Sequence, residues 1–167
     1  MTLHELNTMP TEALSGQLFN CCGSTQWVKR MMSFFPMDDL VEMLEDAEEQ
    51  WYQCTEADWK EAFSYHPKIG DTELLSKKFG ATAEWASGEQ AAVKEASGNV
   101  IAGLVAANAE YEKKFGYIFI VSASGRTAEE MLTLLQVRLL NNPAMEIKVA
   151  MDEQNKITLL RLQKLIS

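Results

Sequence analysis

Basic residues are scarce in this sequence. Lys and Arg total 15 against 24 Asp and Glu, a formal net charge of −9. A general nucleic-acid binder needs a basic face to release counterions from phosphates, so nucleic acid is not an expected partner. Cysteine is scarce as well. Cys21 and Cys22 are adjacent and Cys54 stands alone, so there is no CxxC pair and no zinc-ligand spacing. Unpaired thiols point to a reducing compartment, and the expected location is the cytoplasm. Long apolar runs are missing. The longest, Val100 to Ala107, contains Gly103 and falls far short of the roughly 20 residues of a membrane helix. The opening residues show no basic stretch leading into an apolar core, so no targeting segment is expected. GxGxxG, Walker A and GxSxG patterns are absent, as are internal repeats and low-complexity segments.

What is present is an ordinary globular composition over 167 residues, 47% apolar and 23% charged. A chain of this size is expected to fold as a single domain, 1–167, burying roughly 70% of its unfolded surface. Start and stop signals divide it into about eight helices. Pro10 opens one that runs to Asn20, where Gly23 breaks the chain, and Ser24 caps the next, which ends near Phe35-Pro36. Asp38 or Asp39 starts a third, ending near Cys54, and Thr55-x-x-Asp58 is a capping box for a fourth. That helix stops near Tyr65, because a residue before proline avoids the α region. A short helix over Asp71–Phe79 and a long one from Ser87 to Phe115 follow. In the long helix Gly98 and Gly103 permit a bend, each costing about 1 kcal/mol relative to Ala. Thr127-x-x-Glu130 is a second capping box, for a helix to Leu140, and Asn142-Pro143 opens the last, to Leu165. Between them, Tyr117-Ile118-Phe119-Ile120-Val121 is β-branched and aromatic, a strand by propensity with no second segment to pair with it. Its backbone groups then need a ligand, neighbouring side chains or water. The expected fold is all-α, a helical bundle with one short extended segment near 117–123.

Two residues stand out chemically. His66, in Tyr65-His66-Pro67-Lys68-Ile69-Gly70, sits at a helix end with its backbone constrained by proline. It is either an acid/base group or a cap for helix carbonyls. Arg161 lies on a helical stripe with Ile147, Ala150, Gln154, Ile157 and Leu165, which aims its guanidinium towards the core. There it meets a carboxylate or planar amide of a ligand, pairs with a structural Glu, or snorkels to solvent. In Trp85-Ala86-Ser87-Gly88-Glu89-Gln90, Ser87 and Glu89 are sufficiently explained as a cap and a dipole partner. Ser124-Gly125-Arg126-Thr127 before a helix offers a place for an anion, but the motif is nonspecific. Two classes of function compete at this point: an enzyme built around His66, and a non-catalytic helical module for a small ligand or a partner helix.

The combination of His66-Pro67-Lys68-Ile69-Gly70, Glu89-Gln90, Asn108-x-x-Tyr111-x-x-Lys114-Phe115-Gly116, Phe119-Ile120-Val121 and Arg161 resembles the OHCU decarboxylase family, over about Leu6 to Leu165. OHCU is 2-oxo-4-hydroxy-4-carboxy-5-ureidoimidazoline, an intermediate of urate breakdown. The resemblance implies an all-helical homodimer that converts OHCU to (S)-allantoin and CO2 without a metal or other cofactor. It implies His66 as the catalytic acid/base and Glu89 as a catalytic and substrate-holding group. Pro67, Ser87, Gln90, Phe119, Ile120, Val121, Ser122, Ala123 and Arg161 would bind substrate, the extended segment through its backbone. The chain departs from the family pattern at Ala86, where many members carry Ser, and at Tyr117-Ile118, where many read Phe-Pro.

Overall fold

The computed structural model describes residues 1–67 and 98–167. Eight helices lie among them: α1 (Leu3–Asn7), α2 (Thr11–Cys21), α3 (Thr25–Met32), α4 (Leu40–Tyr52), α5 (Glu56–Ser64), α6 (Gly98–Phe115), α7 (Ala128–Leu139) and α8 (Pro143–Leu165). The fold is all-α, as the sequence implies. The expected helix over Asp71–Phe79, and the start of the long helix at Ser87, lie outside the described residues.

Most helix starts follow the local chemistry. Ser24 accepts from the Trp27 N–H, Asp39 from Glu42, and Asn142 from Met145. The capping boxes at Thr55 and Thr127 are both closed, with Asp58 and Glu130 bonding back to the cap N–H. One helix was not expected. The Thr2 hydroxyl accepts from the Glu5 N–H while Glu5 accepts from the Thr2 N–H, so a capping box starts α1 at the chain's first residues. Its Leu6 is fully buried, and the Asn7 amide exchanges two hydrogen bonds with the Met37 backbone.

The strand propensity of Tyr117–Val121 is not realised. Gly116 closes α6 at φ +83°, a left-handed conformation suited to glycine, and the chain then runs extended without pairing into a sheet. Phe119, Ile120 and Val121 are buried, which accounts for their apolar character without a strand.

The chain divides into two compact units. The first comprises Met1–His66, Ile120–Ser122 and Val149–Ser167. Its core holds three indoles whose N–H groups are all satisfied by backbone carbonyls. Trp27 donates to Ala47 (2.9 Å), Trp51 to Met151 (2.8 Å) and Trp59 to Trp51 (3.1 Å). Each large side chain buried here contributes roughly 1.5–3 kcal/mol, and a bonded indole N–H removes the penalty of burying the polar end. Leu18, Met31, Met43, Phe63 and Leu162 fill the remainder.

The second unit comprises Pro67–Phe119 and Ala123–Lys148. In it α6 packs on α7. A Cβ added to Gly103 would lie 3.1 Å from Leu132 Cδ2, so this glycine serves close approach of the helices. Beside it is a buried polar knot. The Glu146 carboxylate, fully inaccessible, accepts from Tyr111 Oη (2.5 Å), Arg138 Nε (2.7 Å) and Asn141 Nδ2 (2.9 Å). Arg138 also lies 4.4 Å over the Phe119 ring, which anchors the start of the extended segment.

Candidate functional site

α5 ends at Ser64 with Tyr65 as its C-cap, and the His66 N–H bonds the Phe63 carbonyl at 3.2 Å. The helix end is therefore capped by the backbone N–H groups of Tyr65 and His66. Its imidazole is half-buried and turned elsewhere: Nε2 meets Gln154 Oε1 on α8 at 2.5 Å. Gln154 is fully buried, and its Nε2 donates to Thr158 Oγ1 at 3.1 Å. The histidine is thus held from both sides, by the helix stop before it and by an amide fixed in the core.

His66 and Arg161 line one cleft of about 140 Å³ in the first unit, together with Phe19, Asn20, Gly23, Ala62 and Tyr65. Tyr65 packs edge-on against Phe19, with ring centroids 4.8 Å apart. Gly23 makes room for that ring. A Cβ there would come within 2.8 Å of Tyr65 Cβ and Cδ2, far inside contact distance. This glycine is needed for space as well as for ending a helix.

The helical wheel is wrong about Arg161. The stripe is buried at Ile147, Ala150 and Gln154, but Ile157 is only half-buried and Arg161 is exposed. Beyond Gln154 the buried line passes through Thr158 and Leu162. Arg161 therefore stands at the rim of the cleft, where its charge stays hydrated. Nη1 reaches the Asn20 and Cys21 carbonyls at 3.4 and 3.5 Å, close to the C-terminal end of α2, a favourable place for a cation. A guanidinium has five donors, so these long contacts leave capacity for a planar anion.

The extended segment contributes Ile120, Val121 and Ser122 to the same unit as His66 and Arg161. Phe119 and Ala123 belong to the second unit, as does Pro67, which directly follows the histidine in the chain. Ile120 and Ser122 have interactions of their own. Ser87, Glu89 and Gln90 lie outside the described residues. Sequence reasoning missed Gln154 as a site residue. Its signal was a buriable amide in an otherwise apolar stripe, overshadowed by the charge about two turns further on. Tyr65 and Asn20 carried no signal at all.

The neighbouring thiols are shielded. Burial pushes Cys21 up to about 11, against a smaller opposing effect of Arg161. Burial also pushes Cys22 up to about 12, partly offset by a hydrogen bond with Thr158, and pushes Cys54 up to about 11. They are poor nucleophiles and poor ligands in this state.

Comparison with known proteins identifies the family. The family model described as OHCU decarboxylase matches residues 7–163. The chain belongs to the OHCU decarboxylase family. It is 40% identical over 148 residues to the uric acid degradation bifunctional protein TTL of Arabidopsis thaliana, covering 88% of this chain and 45% of that protein. It is 36% identical over 103 residues to the 2-oxo-4-hydroxy-4-carboxy-5-ureidoimidazoline decarboxylase of Amia calva, covering 60% of this chain and 57% of that one. The chain thus spans about half the length of these curated relatives. Among solved structures, OHCU decarboxylase crystallised in the presence of (S)-allantoin superimposes with a TM-score of 0.73 at 38% identity, covering 90% of this chain and 96% of that one. An (S)-allantoin synthase, 15% identical with a TM-score of 0.71, shares the fold.

Proposed function

We propose that this member of the OHCU decarboxylase family converts OHCU to (S)-allantoin and CO2. The observation that carries the reading is the convergence of His66 and Arg161 on one cleft, in a fold matching an OHCU decarboxylase over nearly its whole length. The chemistry suits these groups. The carbon that loses CO2 bears a hydroxyl and adjoins a C=N bond, so the electron pair released passes into the imine. The substrate supplies its own electron sink, and the reading calls for no cofactor. The protein's part is to hold the carboxylate out of the conjugated plane, accept the hydroxyl proton, and bring a proton to one face of the resulting enediamine. His66 takes the hydroxyl proton, work typically worth ~10²–10⁴-fold. Arg161 holds a carboxylate or carbonyl of the ligand through its planar fork. Glu89, Ser87, Gln90, Pro67 and the backbone of Phe119–Ala123 complete the proposed substrate contacts.

The test is a stopped-flow reaction with OHCU generated fresh from urate, followed by absorbance and circular dichroism. The expected result is faster decay of OHCU with accumulation of a single allantoin enantiomer. Decay at the spontaneous rate with racemic product would reject the reading. We further propose that residues 1–167 form one domain, that it assembles as a homodimer, and that it resides in the cytoplasm. Free Cys21, Cys22 and Cys54 support the last of these. Light scattering on the purified chain checks the assembly. No helix among the described residues is long and apolar enough to cross a membrane.

A further inference from the structure

We infer that Gln154 is the positioning residue for His66, and that it fixes the imidazole as the Nε2–H tautomer with the basic lone pair on Nδ1. The inference deepens the proposed function and rests on it for the acid/base role of His66.

The argument follows the hydrogen-bond directions along one buried line. Gln154 is fully inaccessible and Thr158 is 2% exposed, both on α8 one turn apart. Cys22, also fully buried, interacts with the Thr158 hydroxyl. With that hydroxyl proton turned to the Cys22 sulfur, Thr158 Oγ1 presents lone pairs, and the Gln154 amide nitrogen donates to it at 3.1 Å. The amide is thereby oriented, and its carbonyl oxygen is the atom that faces His66 Nε2. An amide oxygen only accepts. The ring nitrogen opposite it must carry the proton, and a neutral imidazole protonated at Nε2 has its lone pair at Nδ1.

A neutral glutamine is well suited to this task. A carboxylate in its place would stabilise the imidazolium and raise the histidine's pKa. An amide orients the ring without adding charge beside it. Arg161 and Tyr65 line the same cleft as the ring, and Cys22 lies at the far end of the line.

The test begins with the wild-type protein. Long-range ¹H–¹⁵N correlation spectra of histidine-labelled protein distinguish the two tautomers, and with two histidines in the chain a His4→Gln variant assigns them. The expected result is a neutral His66 protonated at Nε2, with Nδ1 in the unprotonated range. A proton on Nδ1, or the averaged pattern of a free imidazole, would overturn the inference. Two variants follow. Gln154→Leu is expected to lower kcat by roughly 10–100-fold, the usual cost of losing an orienting partner, with a smaller change in KM. Gln154→Glu keeps an acceptor towards His66 Nε2 and gives up the donor to Thr158. It is expected to move the acidic limb of the kcat/KM profile upward by about 1–3 pH units. If Gln154 only fills space, Gln154→Glu lowers the melting temperature and the active fraction while the pH profile stays in place, and that result overturns the inference. The spectra need no substrate. An inactive wild type with an Nε2–H histidine would remove the proposed function, and with it the acid/base role. An active wild type with an Nδ1–H histidine would remove the role of Gln154 alone.

Discussion

Removing the Glu146 carboxylate should cost more than any surface change in this protein. Glu146 is fully inaccessible and accepts from three neighbours: Tyr111, Arg138 and Asn141. Its ion pair with Arg138 measures 2.6 Å, and Arg138 is itself 5% exposed. In Glu146→Ala the guanidinium stays buried without its carboxylate, a loss of about 3–5 kcal/mol. The Tyr111 hydroxyl, whose titration burial pushes far above its ordinary range, and the Asn141 amide lose an acceptor as well, at about 1–3 kcal/mol each if no water replaces it. Water entry makes these terms less than additive, so the expected total is about 4–6 kcal/mol, a large share of the ~5–15 kcal/mol that holds a domain together. At about 2–4 °C per kcal/mol for a chain of this size, the melting temperature should fall by roughly 10 °C or more. Glu146→Gln, which keeps an acceptor but not the charge, should lose less. A paired Arg138→Met/Glu146→Leu variant should be less harmed than Glu146→Ala, because it leaves no buried charge behind. Urea titrations followed by circular dichroism, compared at unchanged m, give the three values. A Glu146→Ala loss under about 1 kcal/mol would refute the reasoning, since it would mean that water already reaches Arg138.

The remaining predictions concern the cleft and the thiols. His66→Asn should reduce turnover of OHCU by ~10²-fold or more in a folded protein, and a near-wild-type rate would dismiss His66 as the acid/base. Arg161→Lys keeps charge but not the planar fork. Allantoin affinity, measured by calorimetry, should drop by roughly 10–100-fold, while the melting temperature barely moves because Arg161 is exposed; the reverse pattern would make it a structural residue. The three cysteines should react slowly with thiol reagents at pH 8 until urea unfolds the chain. Their folded-state values, about 11 to 12, stand above the ordinary 9.0, so the unfolded chain gives up thiol protons first as pH rises. Stability should therefore be unaffected by them below about pH 9 and fall between about pH 9 and 12, by up to ~1.4 kcal/mol per pH unit per thiol. Denaturation at stepped pH on a Cys22→Ala variant isolates one contribution.

Helix boundaries were legible because caps are local. Ser24, Asp39, Thr55, Thr127 and Asn142 each announce a helix within four residues, and each does cap one. α1 is hard to read from sequence because chain ends usually fray, whereas here the capping box at Thr2–Glu5 holds the first turn. The β-propensity of residues 117–121 misled because it measures fit to a half-buried apolar surface, which an extended segment in a helical core also offers. The histidine and arginine were legible from their local settings, a pre-proline helix end and a helical stripe, and the family resemblance supplied their expected roles. Their surroundings were not. Whether a glutamine 88 positions away meets His66, or Glu146 meets Tyr111, depends on tertiary packing that no local pattern encodes. The wheel misplaced Arg161 because the buried line drifts around α8: beyond Gln154 it passes through Thr158 and Leu162, which leaves position 161 at the rim.

Gly23 has no functional group, yet its hydrogen is the only substituent that fits against Tyr65, the residue next to His66. Any larger side chain must shift the tyrosine, and the shift is passed through a single peptide unit to the imidazole. In a random-mutagenesis screen scored by allantoin formation, position 23 should therefore behave as intolerantly as a residue that touches substrate. Under the proposed function, an intolerance map of this protein is expected to mark Gly23, in the turn between α2 and α3, together with the cleft it lines, although glycine has no side chain to offer the chemistry.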